Sequence, residues 1–251
     1  MVKSALITGA AKRIGRQLAL DLAGAGYDIA VHCNTSRNEA DEVATEIRGR
    51  GRKSVVVQGD LGLFETADRI VSEAVAALGS LDVLINNASV FEDDEVGGIS
   101  QESWDRHQNA NLRAPVMLAQ AFARQLPEGT TGNVINLIDQ RVWKLNPQFF
   151  SYTISKAGLW TATRTLAQAL APRIRVNAIG PGPALPSARM NEAAFEKQGR
   201  LTLLGRGTSP EEISATVQFI LSQPGLTGQM IALDGGQHLV WQTPDVVEVT
   251  E

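Results

Sequence analysis

The chain has 251 residues, of which 43% are hydrophobic, so it can bury a large core. A formal net charge of -4 at pH 7 gives no indication of a basic surface for nucleic acid or for an anionic membrane. Cys33 is the only cysteine, which excludes an intrachain disulfide and a thiolate metal cluster within one chain. We expect one domain spanning residues 1–251 and no metal site.

The N-terminal stretch MVKSALITG leads directly into an apolar strand, without a charged region, a long apolar run and a cleavage site. No later run approaches the length that spans a bilayer. These features predict a soluble, intracellular protein of the cytoplasm.

Short aliphatic runs alternate along the chain with longer segments of helical periodicity. Strands are predicted at 4–8, 28–33, 54–58, 81–86, 133–138, 174–179 and 229–234. Helices are predicted at 13–24, 36–49, 64–78, 101–125, 151–170 and 210–222. This alternation predicts an α/β fold, in which a parallel sheet of about seven strands carries helices on both faces.

Residues 181–206 interrupt the alternation with a Pro/Gly start and a short amphipathic patch. Loops of this length inside compact domains are usually functional or disordered, so we predict a lid over a substrate. An ordinary surface loop is the alternative. The polar C-terminus after Trp241 is expected either to fray or to dock on another subunit.

Glycines mark the first strand-to-helix turn: Gly9 follows the strand and Gly15 lies at the opening of the helix. Such a turn brings backbone N–H groups and the positive helix end close to a pyrophosphate. Polar residues at 59–61, 86–89 and 181–183 follow other strands, at the sheet edge where open parallel sheets bind ligands. We therefore predict a dinucleotide site, although each segment alone could be a turn or a helix cap.

The motifs Thr8-Gly9-x5-Gly15, Asn86-Asn87-Ala88, Asn111, Tyr152-x3-Lys156 and Pro181-Gly182 resemble those of the short-chain dehydrogenase/reductase family over the whole chain. The resemblance implies a Rossmann-type doubly wound sheet, a nicotinamide cofactor and a homotetramer. Two positions depart from the family pattern, because Arg13 and Ser89 stand where glycines are usual. The cofactor contacts expected from the turns and the resemblance are Gly9, Lys12, Arg13, Ile14, His32, Asn34, Ser36, Asp60, Leu61, Asn87, Ala88, Ser89, Tyr152, Lys156, Pro181 and Gly182.

The stretch VHCNTSRNEA after the second strand decides the expected cofactor. A carboxylate there would favour the ribose 2′-hydroxyl of NAD. The sequence instead offers donors at His32, Asn34, Thr35, Ser36 and Arg37, the last with a full positive charge. Lys12 and Arg13 add more positive charge from the Gly-rich turn. We predict NADPH, while a plain cap of the second helix is the alternative for residues 34–36.

Tyr152 and Lys156 are four residues apart, hence side by side on one helix face. The ordinary pKa of tyrosine, about 10, is too high for acid–base work near neutrality, and a neighbouring ammonium is expected to lower it. A buried tyrosine beside a solvated lysine is the alternative.

Asp139 lies thirteen residues before the tyrosine, where members that reduce carbonyls usually have a serine. A carboxylate repels a developing alkoxide, so an acid here suits ketone reduction badly unless it remains protonated. Reduction of a ring C=N bond differs, because a proton must reach nitrogen, and an acid serves that step.

The segments TGAAKRIG and NNASVF, with Asp139 and Tyr152-x3-Lys156, resemble the pteridine reductase branch of the family. The resemblance implies substrate contacts from Arg13, Ser89, Phe91, Asp139 and Tyr152. It assigns Tyr152 as acid with Asp139 in a proton relay, Lys156 to the ribose and the tyrosine, and Asn111 to support of the relay. Plain core is the alternative for Phe91, and a helix kink or cap for Asn111.

We therefore predict NADPH-dependent reduction of a dihydropterin, dihydromonapterin or dihydrofolate-like ring. The competing hypothesis is a carbonyl reductase, such as a 3-oxoacyl-thioester reductase, in which Asp139 is an isolated substitution. A cofactor-sensing protein without catalysis is a third class, but it usually lacks the tyrosine or the lysine.

Overall fold

A computed structural model describes residues 2–186 and 190–247. The seven strands of the described residues are β1 (Ser4–Ile7), β2 (Asp28–Cys33), β3 (Ser54–Gln58), β4 (Val83–Asn86), β5 (Gly132–Leu137), β6 (Ile174–Pro181) and β7 (Met230–Leu233). The α-helices there are α1 (Arg13–Gly24), α2 (Arg37–Gly49), α3 (Thr66–Leu78), α4 (Gln101–Gln108), α5 (Ala114–Gln125), α6 (Phe150–Leu170), α7 (Glu192–Arg200), α8 (Pro210–Ser222) and α9 (Pro244–Val247). Short 3-10 turns lie at Gln140–Val142 and Gln237–Leu239.

The strands form one parallel sheet in the order β3-β2-β1-β4-β5-β6-β7. The direction in which the chain adds strands reverses between β1 and β4, and ligands of doubly wound sheets bind at the crevice of such a reversal. The predicted fold class, a Rossmann-type parallel sheet with helices on both faces, is confirmed.

Aliphatic side chains fill the space between the sheet and each helical layer. On one face, Leu18 of α1, Val43 of α2 and Ile213 of α8 are buried against the strands. On the other face, Ile70 of α3 and Phe122 of α5 are fully buried. Burying one such side chain stabilises the fold by about 2 kcal/mol, so the two layers hold the strand ends in fixed positions.

The predicted helix 101–125 is interrupted in the structure. A five-residue π-helical turn, Asn109–Arg113, separates α4 from α5. Such a turn contains one residue more than an α-helical turn, and π turns are frequent at functional sites. Periodicity alone does not detect it, because both flanking segments keep helical spacing.

The predicted lid, 181–206, contains the end of β6 and the helix α7, while residues 187–189 lie outside the described part. Asn191 caps α7 by accepting from the N–H of Ala194 (2.8 Å). The backbone joins the segment to the body at both ends, through Thr208 N to Pro183 O (3.0 Å) and Leu204 N to Gly235 O (2.9 Å). Across the described residues, every helix is too short or too polar to cross a bilayer.

Candidate active site

The turn between β1 and α1 is held by hydrogen bonds from the neighbouring strand β4. Asn87 donates through Nδ2 to the carbonyl oxygens of Thr8 (2.8 Å) and Gly9 (3.2 Å). The Thr8 hydroxyl accepts from the N–H groups of Asn87 (2.9 Å) and Ala88 (3.0 Å). Gly9 has a φ of +62°, and a Cβ on Gly15 would lie 2.6 Å from Nδ2 of Asn87. Glycine is required at both positions, and the turn offers its backbone to an anion at the start of α1.

His32 supports this turn from β2. Its Nδ1 accepts from the N–H of Gly9 (3.1 Å), and its Nε2 lies 3.0 Å from the carbonyl oxygen of Gly59, to which it donates in the matching tautomer. Burial lowers the pKa of His32 to about 4, which keeps the ring neutral. Both nitrogens are used within the protein, which corrects the expectation that His32 donates to a 2′-phosphate. The residue lines the cavity and braces its floor.

Arg13 explains one departure from the family pattern. It begins α1 with a φ of +55°, a left-handed conformation that glycine adopts without strain. Its guanidinium donates to the carbonyl oxygens of Pro186 (2.9 Å) and Leu185 (3.4 Å) in the predicted lid. The side chain thus joins the Gly-rich turn to this segment and lies between the two cavities described below.

The first cavity lies over the Gly-rich turn and encloses about 390 Å³. The residues that line it are Gly9, Lys12, Arg13, Ile14, Gly15, His32, Asn34, Asp60, Leu61, Asn87, Ala88, Ser89, Val90 and Ala110. Most of the predicted cofactor contacts are therefore brought together at the carboxyl edge of the sheet. Sequence reasoning missed Val90 and Ala110 as lining residues, since neither carries a polar signal.

Two features of the first cavity differ from what was expected of a site for the 2′-phosphate. Ser36 immediately precedes α2 and does not line the cavity, although it was predicted to contact the cofactor. The ammonium of Lys12 lies 2.6 Å from Oε1 of Glu39, an acid in the first turn of α2. Lys12, which was expected to attract the cofactor phosphate, is thus already paired with a surface carboxylate.

The second cavity, of about 530 Å³, adjoins the first and shares Arg13, Ile14, Asn87 and Ser89 with it. Its remaining lining residues are Phe91, Leu137, Ile138, Asp139, Gln140, Arg141, Asn146, Gln148, Phe149, Tyr152, Lys156, Pro181, Gly182, Pro183, Ala184, Leu185, Met190, Phe195, Gln198 and Gln237. The predicted substrate contacts all line this cavity. Four of the predicted cofactor contacts, Tyr152, Lys156, Pro181 and Gly182, lie here rather than in the first cavity.

Aromatic rings form one wall of the second cavity. The ring of Phe91 stacks on Phe149 with a centroid distance of 4.4 Å and meets Tyr152 edge-on at 4.7 Å. The guanidinium of Arg141 lies 5.3 Å from the Phe149 centroid. Phe91 is 39% exposed, so it is not core, and its free surface is suited to a flat ring.

Asp139 and Tyr152 form a carboxyl–phenol pair at the floor of this cavity. The tyrosine hydroxyl donates to Oδ2 of Asp139 (2.8 Å), and Oδ1 accepts from the N–H of Arg141 (2.8 Å). Burial raises the pKa of Asp139, against the opposing effect of these hydrogen bonds. Burial and the nearby carboxylate raise the pKa of Tyr152 well above its ordinary value. Both groups thus retain their protons more strongly than they would in water.

Lys156 does not produce the effect on Tyr152 that the spacing predicts. Its ammonium is buried, donates to the carbonyl oxygen of Leu137 (2.8 Å) and lies 5.7 Å from the centroid of the tyrosine ring. The expectation that Lys156 lowers the pKa of the phenol is therefore wrong in this geometry, because burial and Asp139 outweigh it. Burial also lowers the pKa of Lys156, to about 8.

Asn111 lies in the π turn and is fully buried. Its amide holds the backbone of Val90 by accepting from the N–H (2.7 Å) and donating to the carbonyl oxygen (2.8 Å). It also accepts from the Ser89 hydroxyl (3.2 Å) and donates to the hydroxyl of Ser155 (3.1 Å). These contacts fix the loop that carries Ser89 and Phe91, while support of a proton relay stays a prediction.

A family model described as short chain dehydrogenase matches residues 3–199. The chain belongs to the short-chain dehydrogenase family. The family predicted from the motifs is confirmed.

Two solved structures and several curated short-chain dehydrogenases are similar over the whole fold. FolM alternative dihydrofolate reductase 1 of Brucella suis, in complex with NADP, is 50% identical with a TM-score of 0.95, covering 98% of this chain and 99% of that one. The Brucella canis protein, complexed with NADP, gives the same identity and TM-score over 98% and 97% of the two chains. The curated 3-oxoacyl-acyl-carrier-protein reductase FabG of Staphylococcus epidermidis is 33% identical over 95% of this chain and 100% of its own length.

The helix that carries the short-chain dehydrogenase tyrosine is capped by a residue that sequence reasoning missed. Asp94 accepts from the N–H of Ser151 through Oδ1 (2.9 Å) and from the Ser103 hydroxyl through Oδ2 (2.7 Å), and its carbonyl oxygen accepts from the N–H of Phe150 (3.0 Å). Phe149, which precedes α6 with a φ of +53°, makes no side-chain cap. The acidic run FEDDE gave no signal, because the partner helix lies more than fifty residues away.

The apolar residues near Tyr152 and in the predicted lid differ in whether they line the second cavity. Phe149, Leu185 and Met190 line the second cavity, whereas Trp143 and Phe150 do not. In the described part of the chain, no group of three or more His, Cys, Asp or Glu side chains is placed to hold a metal ion.

Proposed function

We propose that this short-chain dehydrogenase uses NADPH to reduce a C=N bond in a pteridine ring of the dihydropterin, dihydromonapterin or dihydrofolate type. The observation that carries the proposal is the Asp139–Tyr152 pair, a carboxyl and a phenol 2.8 Å apart in a cavity beside the Gly-rich turn. The two NADP-bound structures that are 50% identical bear the name dihydrofolate reductase, which supports the same chemistry.

The cofactor fits the residues of the first cavity. Gly9, Ile14 and the start of α1 present backbone and a positive helix end to the pyrophosphate. Lys12 and Asn34 would meet the adenosine 2′-phosphate, with Ser36 at its margin. Asp60 and Leu61 would lie against the adenine. Asn87 and Ala88 would lie against the ribose and phosphate groups in the middle of the cofactor. Lys156, with two of its three N–H donors left after Leu137, would bind the nicotinamide ribose.

The residues of the second cavity would orient the ring and move the proton. Bound NADPH supplies the hydride that reduces the ring carbon. Phe91 would cover the free face of the substrate, and Arg13 and Ser89 would bind its polar edge. Tyr152 would act as the acid in a proton relay with Asp139, because its hydroxyl donates to a carboxyl whose raised pKa lets it hold a proton for the ring nitrogen.

Reduction of a 3-oxoacyl thioester is the competing function. The Staphylococcus relatives at 33% and 34% identity support it. The acid at position 139 counts against it, because members that reduce carbonyls usually have a serine there. Higher identity to the Brucella proteins also favours the pteridine ring.

NADPH oxidation measured on a matched panel separates the two functions. We expect turnover of dihydrobiopterin, dihydromonapterin and dihydrofolate, and turnover of acetoacetyl thioesters that is weaker by at least about a hundredfold, as general acid catalysis at one ring nitrogen requires. Equal or faster turnover of the thioester would favour the carbonyl reductase.

The location and the assembly of the protein are further proposals. We propose a cytoplasmic homotetramer that binds a small-molecule pterin and neither nucleic acid nor membrane. Size-exclusion chromatography with light scattering measures the number of subunits directly.

A further inference from the structure

His107 is a buried histidine that the proposed function does not use. Its side chain is 0% exposed, whereas the other seven residues of α4 are exposed or half-buried. A buried ring with two polar nitrogens is costly unless both nitrogens find partners within the protein. The partners of His107 therefore show what the residue is for.

The two ring nitrogens of His107 meet two different segments of the chain. Nε2 lies 3.1 Å from the backbone nitrogen of Glu92 and accepts its hydrogen, because a backbone N–H can only donate. The proton of the neutral ring is then on Nδ1, which donates to the carbonyl oxygen of Ser103 (2.7 Å), one turn earlier in α4. The neutral ring thus fixes Glu92 to α4.

Glu92 is one of two anchored residues on either side of Phe91. On the other side, Val90 is held at both of its backbone groups by the amide of Asn111. Asn111 and His107 line neither cavity, yet together they fix the main chain immediately before and after Phe91. The position of the Phe91 ring is thus determined by two buried side chains behind the cavity wall.

The ring of His107 also contacts the tyrosine of the site. It meets the Tyr152 ring edge-on at a centroid distance of 6.4 Å, and Phe91 meets the same ring edge-on at 4.7 Å. His107 therefore reaches both the loop that carries Phe91 and the aromatic wall against which Phe91 packs.

The other contact of Glu92 is too weak to hold the loop. Its carboxylate pairs with Arg106 at 2.8 Å, but the two side chains are 32% and 52% exposed. Such surface ion pairs contribute little, because solvent screens them. The partly buried bond from the Glu92 N–H to His107 is the stronger restraint on this end of the loop.

We propose that His107 is a positioning residue that holds Phe91 at the distance at which its ring covers the substrate. The proposal rests on the proposed function, in which Phe91 covers the pteridine ring. Loss of the acceptor at Nε2 frees the Glu92 N–H, so Phe91 moves and binds the flat ring less tightly. The groups that transfer the hydride and the proton keep their places, so the effect falls on the KM rather than on kcat.

The first test compares His107→Gln with His107→Met at saturating NADPH. Both replace the ring by an unbranched chain of similar length and lose the edge contact with Tyr152, but only glutamine keeps an acceptor for the Glu92 N–H. The KM for dihydrobiopterin should be about three- to tenfold higher in His107→Met than in His107→Gln, with similar kcat. The dissociation constant of NADPH should be the same in both, since His107 does not line the first cavity.

The second test repeats this pair in a Phe91→Leu background. The difference in KM between methionine and glutamine should disappear there, because no aromatic ring remains for the loop to position. His107→Asn keeps a donor for Ser103 and is too short to reach Glu92. It replaces His107→Met if that variant does not fold, and it should raise the KM in the same way.

Two results would overturn the assignment. Equal KM values for His107→Met and His107→Gln would show that His107 only packs α4 against α6. A difference that persists in the Phe91→Leu background would show that His107 acts on the site without Phe91. If the unaltered protein reduces no pterin, both proposals fall, whereas normal pterin turnover with equal KM values removes only this one.

Discussion

The two cavities of the site are built on different principles. The first is formed mainly by turns whose polar groups are already paired, as Asn87 with Thr8 and Gly9, and His32 with Gly59. The second is lined by long side chains, and two of its glutamine oxygens have no partner. A constant ligand can be bound by a rigid backbone, whereas a variable one requires side chains that can change without loss of the fold.

The contrast extends to the acids. Asp94 lies outside both cavities, and the pKa of its carboxyl is lowered because hydrogen bonds from Ser151 and Ser103 outweigh the opposing effect of burial. Asp139 lies in the second cavity, and burial raises its pKa. One acid is therefore suited to hold the helix that carries Tyr152, and the other is suited to give up a proton. Four substitutions test this division between supporting and reacting groups.

The largest effect is expected for Asp139→Ser. Removal of the acid should lower turnover of dihydropterins by roughly a hundredfold or more, since general acid catalysis contributes that much. The dissociation constant of NADPH, measured by fluorescence titration, should change little, because Asp139 does not line the first cavity. Asp93→Ser, an exposed acid outside both cavities, is the control. Undiminished turnover would contradict the role of Asp139.

His32→Gln tests the rigid side of the comparison. The pKa of His32 is lowered from 6.5 to about 4 in the folded protein, so its neutral ring contributes stability that is fully present above pH 6.5 and is lost as the pH falls through 4. The difference amounts to roughly 3 kcal/mol of unfolding free energy. Between pH 7 and pH 4, the unfolding free energy measured with urea should fall more steeply in the unaltered protein than in the variant. Equal pH dependence would show that the ring is not held neutral.

Arg13→Gly separates backbone strain from ligand binding, because Arg13 borders both cavities. Glycine relieves the positive φ but loosens the unfolded chain, so the unfolding free energy should rise by only about 0.5–1 kcal/mol. The KM values for NADPH and for the pterin should both increase, since the cation is lost. Arg13→Lys keeps the charge and the strain, and it should leave stability near that of the unaltered protein. Because both variants lose the guanidinium that contacts Pro186 and Leu185, a glycine variant less stable than Arg13→Lys would contradict the strained conformation.

Glu39→Gln should give the smallest effect. The change releases Lys12 from its surface ion pair, so NADPH should bind about two- to threefold more tightly, with the difference disappearing at high salt. Glu42→Gln on the same helix is the control. The affinity for NADH, which lacks the 2′-phosphate, should not change in either variant. Tighter NADH binding in Glu39→Gln would show that the change does not act through the 2′-phosphate.

Much of the fold follows from local pattern. The observed bounds of β2 and β3 are those predicted, and the polar ends of neighbouring strands meet because a parallel sheet places them on one edge. Asp139, Tyr152 and Lys156 could be grouped from spacing and family motif, and all three line one cavity.

The remaining features depend on contacts between distant parts of the chain. The two ring nitrogens of His32 meet backbone twenty-three and twenty-seven residues away, and Asp94 caps a helix that starts fifty-six residues later. The raised pKa of Tyr152 depends on burial, which spacing does not specify. The left-handed backbone of Arg13 contradicts the preference of its side chain, so propensity predicts the opposite conformation.

The π turn between α4 and α5 has a consequence for how this region could change. One additional residue rotates everything after it by about 100° around the helix axis, so α4 can face α6 while α5 faces α3. Deleting Ala110 would turn α5 by about 100° and present the wrong side of α5 to the sheet. The side that α5 presents to the sheet thus depends on one residue of chain length in the π turn.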